Sequence, residues 1–208
     1  MRAARIAMFV LAAVGALAVT GLVLNVPADS APLAEAPASA AQARGGRVFL
    51  TADQTRRGAE TGLLPAGVRS ILDLKGKLKH GEYRWDDTGV PAGELAIRVD
   101  IDRQLVSVFR SGHEIGTAVV LYGAEGKPTP LGRFPIKSKH ADYHSRTYDA
   151  PMPFAMFLTD DGVAVHGSNV RWGRASNGCV GVPEEFARLL FDAARVGDVV
   201  EVVASGRG

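Results

Sequence analysis

Hydrophobic and polar residues begin to alternate at Leu95, and this period of two constrains the fold more than any other feature of the sequence. The alternation runs over residues 95–101 and returns over residues 106–108, after turn residues at Asp102-Arg103. Such alternation is typical of half-buried strands, because successive side chains of a strand point to opposite faces of the sheet. A further turn at Ser111-Gly112 leads into an apolar run, so the pattern predicts a meander of antiparallel strands.

The end of the sequence predicts one helix and a closing strand. Pro183-Glu184-Glu185 favours a helix start, because proline and acidic residues suit the first turn. Residues 186–193 carry an apolar face, Gly197 ends the helix, and residues 198–203 predict the last strand. Many short strands with a single helix indicate a mainly β domain over residues 94–204.

The N-terminus has the composition of an export signal. Two arginines within residues 1–5 precede residues 6–24, an uncharged apolar run of 19 residues. This pattern is typical of a signal peptide, and a run of this length also suits a membrane anchor helix that crosses a bilayer core of about 30 Å. Residues 1–25 are therefore predicted to be a signal peptide or an anchor. The positive N-terminal flank places the remainder outside the cytoplasm, in the periplasm or cell envelope.

Two less informative segments precede the β domain. Residues 26–64 begin rich in alanine, proline, serine and glycine and continue polar and weakly patterned, so we interpret them as a linker. Residues 65–93 are predicted to form a small membrane-proximal segment. Within it, Pro65–Leu74 predicts a short helix, and the alternation of Tyr83 and Trp85 predicts an edge strand.

Composition excludes several partners and sites. The 24 basic and 22 acidic residues give a net charge of +2 without a basic stripe, so nucleic acid is not an expected partner. A single cysteine excludes an internal disulfide and any zinc site that needs two thiolates. His140 and His144 are four positions apart but have too few further ligands nearby. We therefore expect no metal and no cofactor, and interpret residues 139–153 as a loop or lid over a cleft.

The candidate chemistry lies at Cys179, the single cysteine, and at His166, thirteen positions before it. An unpaired cysteine in an exported protein is either buried and inert or chemically active, and a histidine at a strand end can be structural or catalytic. The polar, glycine-containing loop of residues 167–176 is long enough to fold back and bring imidazole to sulfur. Gly178 allows close backbone approach, and its amide with that of Cys179 could face a developing oxyanion.

Four motifs in this order resemble the catalytic domain of the L,D-transpeptidases, the YkuD-type family. They are VDIDRQLVSVFRSG, similar to an opening hairpin; PTPLGRFPI, similar to a TPxG motif; HGS followed by ASNGCVGVP, similar to the nucleophile signature; and GDVVEVV, similar to a closing strand. The resemblance covers about Leu95 to Val203 and implies a β-sandwich or barrel with one helix near its C-terminal end.

The resemblance also implies roles for individual residues. Cys179 would be the nucleophile, His166 its general base, and the carbonyl of Gly167 the group that orients the histidine. The amide of Cys179 would help to hold the oxyanion. The remaining oxyanion and substrate-binding set that it implies is Asn177, Gly178, Ser176 and Ser168.

Two positions depart from the family pattern. Gly181 stands where arginine is usual, and Asn177 stands where histidine is frequent. The first departure removes a side chain near the nucleophile that could hold the site or a substrate carboxylate. Both bear on substrate preference and rate, but neither removes the nucleophile or the base.

The function implied by the resemblance is formation of peptidoglycan cross-links between stem peptides through a cysteine thioester, with penem-type inhibitors acylating the same thiol. An L,D-carboxypeptidase or a cross-link hydrolase would use the same chemistry with water as acceptor. A third hypothesis, motivated by Gly181, is a wall-binding module without turnover. The residues leave the acceptor undetermined.

Overall fold

A computed structural model describes residues 42–44, 46–124 and 126–206 of the chain. These residues form two helices and fifteen short strands. The elements are β1 (Gln42–Arg44), β2 (Arg47–Phe49), α1 (Ala52–Glu60), β3 (Ser70–Leu72), β4 (Tyr83–Trp85), β5 (Leu95–Asp100), β6 (Leu105–Arg110), β7 (His113–Val119), β8 (Gly132–Pro135), β9 (Ser138–His140), β10 (His144–Ser145), β11 (Ala150–Pro151), β12 (Ala155–Phe157), β13 (Ala164–Gly167), β14 (Val180–Val182), α2 (Glu184–Ala193) and β15 (Val199–Val203).

The larger sheet contains the predicted meander. Its strands follow the order β1-β2-β3-β7-β6-β5-β15-β8, with β4 paired to β7. Strands β5, β6 and β7 pair antiparallel in sequence order, which confirms the meander, and β4 confirms the predicted strand at Tyr83 and Trp85. The closing strand β15 lies parallel to β5 and antiparallel to β8. Helix α2 directly precedes β15 and leads the chain to that place.

The smaller sheet follows the order β14-β13-β12-β9. Strand β13 is antiparallel to β12 and parallel to β14. Buried residues of both sheets and of α2 form one hydrophobic core. In α2, Phe186, Ala187 and Leu190 are buried in it, and the Phe186 ring meets the Trp85 ring edge-on at 5.5 Å between centroids. A two-stranded hairpin of β10 and β11 lies within the predicted lid.

The mainly β class is confirmed, but the prediction of one helix is wrong. The additional helix is α1, which begins with a capping box. The backbone N–H of Gln54 donates to Thr51 Oγ1 at 3.2 Å, and the backbone N–H of Thr51 donates to the side-chain oxygen Oε1 of Gln54 at 2.9 Å. The helix predicted within Pro65–Leu74 does not form. Gly67 there has a positive φ of 78°, and the residues after it join the larger sheet as β3.

The predicted linker over residues 26–64 is also wrong in its second half. Strand β2 pairs with β3, and the Arg47 side chain is only 6% exposed. Its guanidinium donates to the backbone carbonyls of Glu114 and Asp86. A buried cation that satisfies two carbonyls fixes this strand to the domain, so ordered structure reaches back well before residue 65.

The predicted signal peptide or anchor at residues 1–25 lies outside the described residues. Within the ranges 42–44, 46–124 and 126–206, no helix combines the length and the hydropathy needed to cross a membrane.

Gly116 in β7 makes room for two aromatic rings, and its replacement should weaken the fold. A Cβ at this position would overlap the Trp85 ring and lie 3.1 Å from Phe186 Cε2. We expect Gly116→Ala to lower the free energy of unfolding in urea by about 1–3 kcal/mol, as for other overpacked cores. Gly76→Ala is the matched control, because nothing lies within 4 Å of the Cβ position there. Equal stability of the two variants would contradict this reading of the core.

Candidate functional site

His166 is held at the end of β13 with a defined tautomer. Its Nδ1 lies 2.8 Å from the carbonyl oxygen of Gly167, the partner expected from the sequence. Because a carbonyl can only accept, Nδ1 carries the proton and Nε2 is left as a lone-pair acceptor. Burial lowers the pKa of His166, and the bond to Gly167 opposes this shift without reversing it. The imidazole is therefore neutral at neutral pH and able to accept a proton.

Cys179 is brought beside His166 by strand pairing, not by proximity in sequence. It immediately precedes β14, which runs parallel to β13 with Val165 opposite Val180 and His166 opposite Gly181. Both side chains line one cleft of about 180 Å³. The twelve residues between them supply the loop that a parallel connection requires.

The Cys179 thiol is half-buried and protonated. Its Sγ lies 3.7 Å from the carbonyl oxygen of Gly162, to which it donates. Burial raises the pKa of Cys179, while a hydrogen bond from the Ala164 amide and the charge of Lys127 lower it and the charge of Asp161 raises it. Among the described residues the thiol thus donates to the Gly162 carbonyl and accepts from the Ala164 amide. Proton transfer to His166 requires the S–H group to turn away from the Gly162 carbonyl.

Three of the predicted oxyanion and substrate-binding residues form the turn before Cys179. Gly178 has a φ of 98°, a conformation that favours glycine. Ser176 lines the cleft, but its hydroxyl donates to the carbonyl of Cys179, so it fixes this turn. Asn177 is exposed and also lines the cleft. The turn thus leads directly into Cys179 at the wall of the cleft.

The departure at Gly181 has a packing explanation. Gly181 and Leu121 exchange backbone hydrogen bonds of 2.8 and 2.9 Å. A Cβ on Gly181 would lie 2.9 Å from Ser168 Cβ and 3.4 Å from Leu121 Cβ. Ser168, the fourth predicted substrate-binding residue, also lines the cleft. Because Ser168 occupies the space that a side chain at 181 would need, glycine is the residue that fits.

Sequence reasoning missed Lys127 and Tyr148. The Lys127 ammonium lies 2.5 Å from the Tyr148 hydroxyl, and Lys127 Cγ is 3.8 Å from the Cβ position of Gly178. Tyr148 lines the cleft from the connection between β10 and β11. The one sequence signal for Lys127 is its position directly before the PTPLG motif. Nothing in the sequence indicates that it lies beside Gly178, about fifty positions later.

The predicted lid lines the cleft through only some of its residues. Those that do are Ser145, Tyr148, Ala150, Pro151 and Met152. His140 instead contacts the Phe157 ring at 5.8 Å between centroids, and neither it nor His144 is among the cleft residues. Within the described ranges, no group of three or more histidine, cysteine or acidic side chains is placed to hold a metal ion.

The charges near the thiol can be tested by alkylation, because the chain has a single cysteine. We expect the rate of reaction with iodoacetamide to rise only above the pH of an ordinary thiol, since burial raises the pKa of Cys179. Lys127→Gln should move the profile to higher pH and Asp161→Asn to lower pH, measured by intact mass against time. Lys79→Gln, an exposed lysine outside this set of charges, is the control. Shifts of the opposite sign would contradict the arrangement.

The fit of Gly181 against Ser168 can be tested by a double-mutant cycle. We expect Gly181→Ala to lower the free energy of unfolding by about 1–3 kcal/mol, because the new methyl group overlaps Ser168. Adding Ser168→Gly should recover part of that loss, giving a coupling energy of about 0.5–3 kcal/mol in urea denaturation. Strictly additive effects would show that the two positions do not compete for space.

Comparison with known proteins identifies the family of this sequence. The YkuD model, described as the L,D-transpeptidase catalytic domain, matches residues 94–202, just over half of the 208 residues. L,D-transpeptidase 1 of Mycobacterium tuberculosis is 30% identical over 133 residues, covering 55% of this chain and 53% of that protein. The chain therefore spans about half the length of this relative.

Two solved structures are similar to this chain over about half of its length. An L,D-transpeptidase from Stackebrandtia nassauensis is 23% identical over 55% of this chain and 57% of its own, with a TM-score of 0.50. The structure of LdtMt1 in complex with imipenem is 29% identical over 52% of this chain and 58% of its own, with a TM-score of 0.49. Since the family model covers more than half of the sequence, the chain belongs to the YkuD family of L,D-transpeptidase catalytic domains.

Proposed function

We propose that this protein is a peptidoglycan L,D-transpeptidase that links two stem peptides through a thioester on Cys179. The observation that carries the proposal is the pairing of β13 with β14, which sets a lone thiol and an oriented, neutral imidazole on one cleft. Membership of the family supplies the reaction class. The donor is a stem peptide in which an L-configured centre precedes a terminal D-residue.

The first half-reaction forms the thioester. His166 Nε2 takes the thiol proton as Sγ attacks the donor carbonyl, and the carbonyl oxygen becomes an oxyanion held by backbone amides at residues 177–179. The C–N bond then breaks, and the protonated His166 delivers its proton to the leaving amine of the D-residue. In the second half-reaction the amine of another stem peptide attacks the thioester and His166 takes its proton. The C–S bond then breaks, and His166 returns that proton to the sulfur, which restores the thiol.

The resting charge state favours general-base catalysis over a preformed ion pair. Burial lowers the pKa of His166 and raises the pKa of Cys179, so both groups are neutral before substrate binds. The proton then moves as the sulfur attacks. Because the folded pKa of His166 lies below its ordinary value, the base stays neutral under mildly acidic conditions, and the rate falls only as the pH drops through that lowered pKa.

The wall-binding alternative loses the feature that motivated it. Glycine at position 181 follows from the contact with Ser168, so it does not indicate a decaying site. A carboxypeptidase or hydrolase uses the same acyl-enzyme and differs only in the acceptor. The products formed with and without an acceptor amine separate these reactions from transpeptidation.

We further propose that the protein acts outside the cytoplasm, in the periplasm or cell envelope, after export by residues 1–25. The support is the composition of that segment, two arginines followed by an uncharged apolar run. Residues 6–24 serve either as a cleaved signal or as a membrane anchor. The mass of the protein recovered from membrane and soluble fractions distinguishes them, and recovery from the cytoplasm alone would refute export.

The central test removes the nucleophile and the base separately. Cys179→Ala should abolish L,D-cross-links in muropeptide digests and the penem adduct in intact-mass spectra, because no thioester can form. His166→Gln should slow acylation by about 10²–10⁴-fold, the usual contribution of a general base. His144→Gln, the same change at a histidine outside the cleft, should leave the rate unaltered.

Two results would refute the proposal. Cross-links and penem labelling that persist in Cys179→Ala would show that the thiol is not the nucleophile. A wild-type protein that neither turns over the donor nor forms an adduct would favour a binding module. Release of the D-residue without cross-linking, even with an acceptor amine present, would assign the hydrolytic reaction instead.

A further inference from the structure

The loop between His166 and Cys179 is weakly tied to the domain over part of its length. Its ends are fixed, because the Ser168 amide donates to Val182 at 2.7 Å and the Ser176 amide donates to Tyr122 at 2.9 Å. Between them, the hydrogen bonds described for residues 169–175 join near neighbours only, such as the Arg174 amide to the Arg171 carbonyl. Side-chain contacts must therefore position this part of the loop.

A second segment, Leu74–Gly81, is also weakly tied to the domain by hydrogen bonds. The hydrogen bonds described for it reach only Asp73 and Glu82, at its own two ends. A cavity of about 620 Å³ is lined both by this segment and by Leu105 and Val119 of the larger sheet. The segment precedes residues 94–202, so it is not part of the stretch matched by the family model.

Leu78 connects the two segments through one apolar cluster. It packs against the buried side chains of Val119, Leu121 and Val170. Val170 belongs to the loop. Leu121 lines the cleft, and its backbone exchanges hydrogen bonds with Gly181, two residues after the nucleophile. Leu78 thus packs on a cluster that contains Val170 of the loop and Leu121, the backbone partner of β14.

His80 and Gly81 extend the same contact along the loop. The His80 ring meets the Trp172 ring edge-on, with 5.3 Å between centroids and an angle of 88°. Even with this contact, Trp172 is 83% exposed. A Cβ on Gly81 would lie 3.3 Å from the Val170 carbonyl oxygen, so the two backbones also approach closely.

We propose that Leu74–Gly81 is a positioning element for the nucleophile, with Leu78 and His80 as its positioning residues. Neither touches the reacting atoms. They hold residues 169–175, and through Leu121 the start of β14, so that Cys179 faces the donor carbonyl at a fixed place. The inference rests on the proposed acyl transfer. A misplacement of about 1 Å at a reacting atom can cost about 100-fold in rate, so loss of these contacts should appear in acylation.

The test compares Leu78→Ala with Leu78→Met in the full chain, using imipenem as the acylating probe. We expect Leu78→Ala to form the adduct about tenfold or more slowly, and to lower kcat on a donor peptide more than it raises KM. Leu78→Met should restore both, because methionine keeps the apolar volume. Leu63→Ala, the same change at an exposed leucine outside this segment, is the control. Thermal unfolding establishes that each variant is folded at the assay temperature.

A second readout does not depend on activity. Arg171 and Arg174 are exposed in the loop, so trypsin should cut there faster in Leu78→Ala than in the wild type or in Leu78→Met. Slower acylation together with faster cleavage supports the proposal. Either effect without the other, wild-type behaviour of Leu78→Ala, or failure of Leu78→Met to restore it overturns the proposal. A wild type that is not acylated would refute the proposed function, while the cleavage rates would still test the contact.

Discussion

The site depends on one parallel pairing, that of β13 with β14. Val165, Val180 and Val182 are fully buried in the core, so the hydrophobic effect fixes the register of the two strands. Side chains alternate along a strand, and a slip of one residue would turn His166 toward the core and away from Cys179. The geometry of the cleft is therefore set by valines that have no chemical role.

The sequence could predict what depends on neighbours along the chain. The meander of β5, β6 and β7 was predictable, because each strand pairs with the next and the two-residue period is visible. The parallel pairings of β5 with β15 and of β13 with β14 connect strands that are not joined by a short turn, and no local sequence pattern predicts them. Strands β2 and β3 have three residues each, too few to show a period. Arg47 is buried although its side chain is charged, so its position could not be expected from residue type.

The candidate residues were predictable for a similar reason, but their electrostatics were not. A short motif names His166 and Cys179, and the Gly167 carbonyl is adjacent to the histidine in sequence. The charge state of the pair depends on desolvation, which only the folded chain supplies: burial moves the pKa of His166 down and that of Cys179 up. Lys127, Asp161 and Tyr148 reach the site from three separate segments, so their influence could not be predicted from spacing.

Gly181 illustrates how far a departure from a family motif can be interpreted. A missing arginine suggests a lost function when only the motif is compared. In the folded chain the position lies between Ser168 and Leu121, and the close backbone approach of Leu121 joins β14 to the cluster that contains Val170 of the loop. A side chain at 181 would separate these elements. The glycine therefore allows the close packing that positions the segment carrying the thiol. This role can be recognised only from its contacts with Ser168 and Leu121 in the folded chain, and Leu121 lies outside the motif.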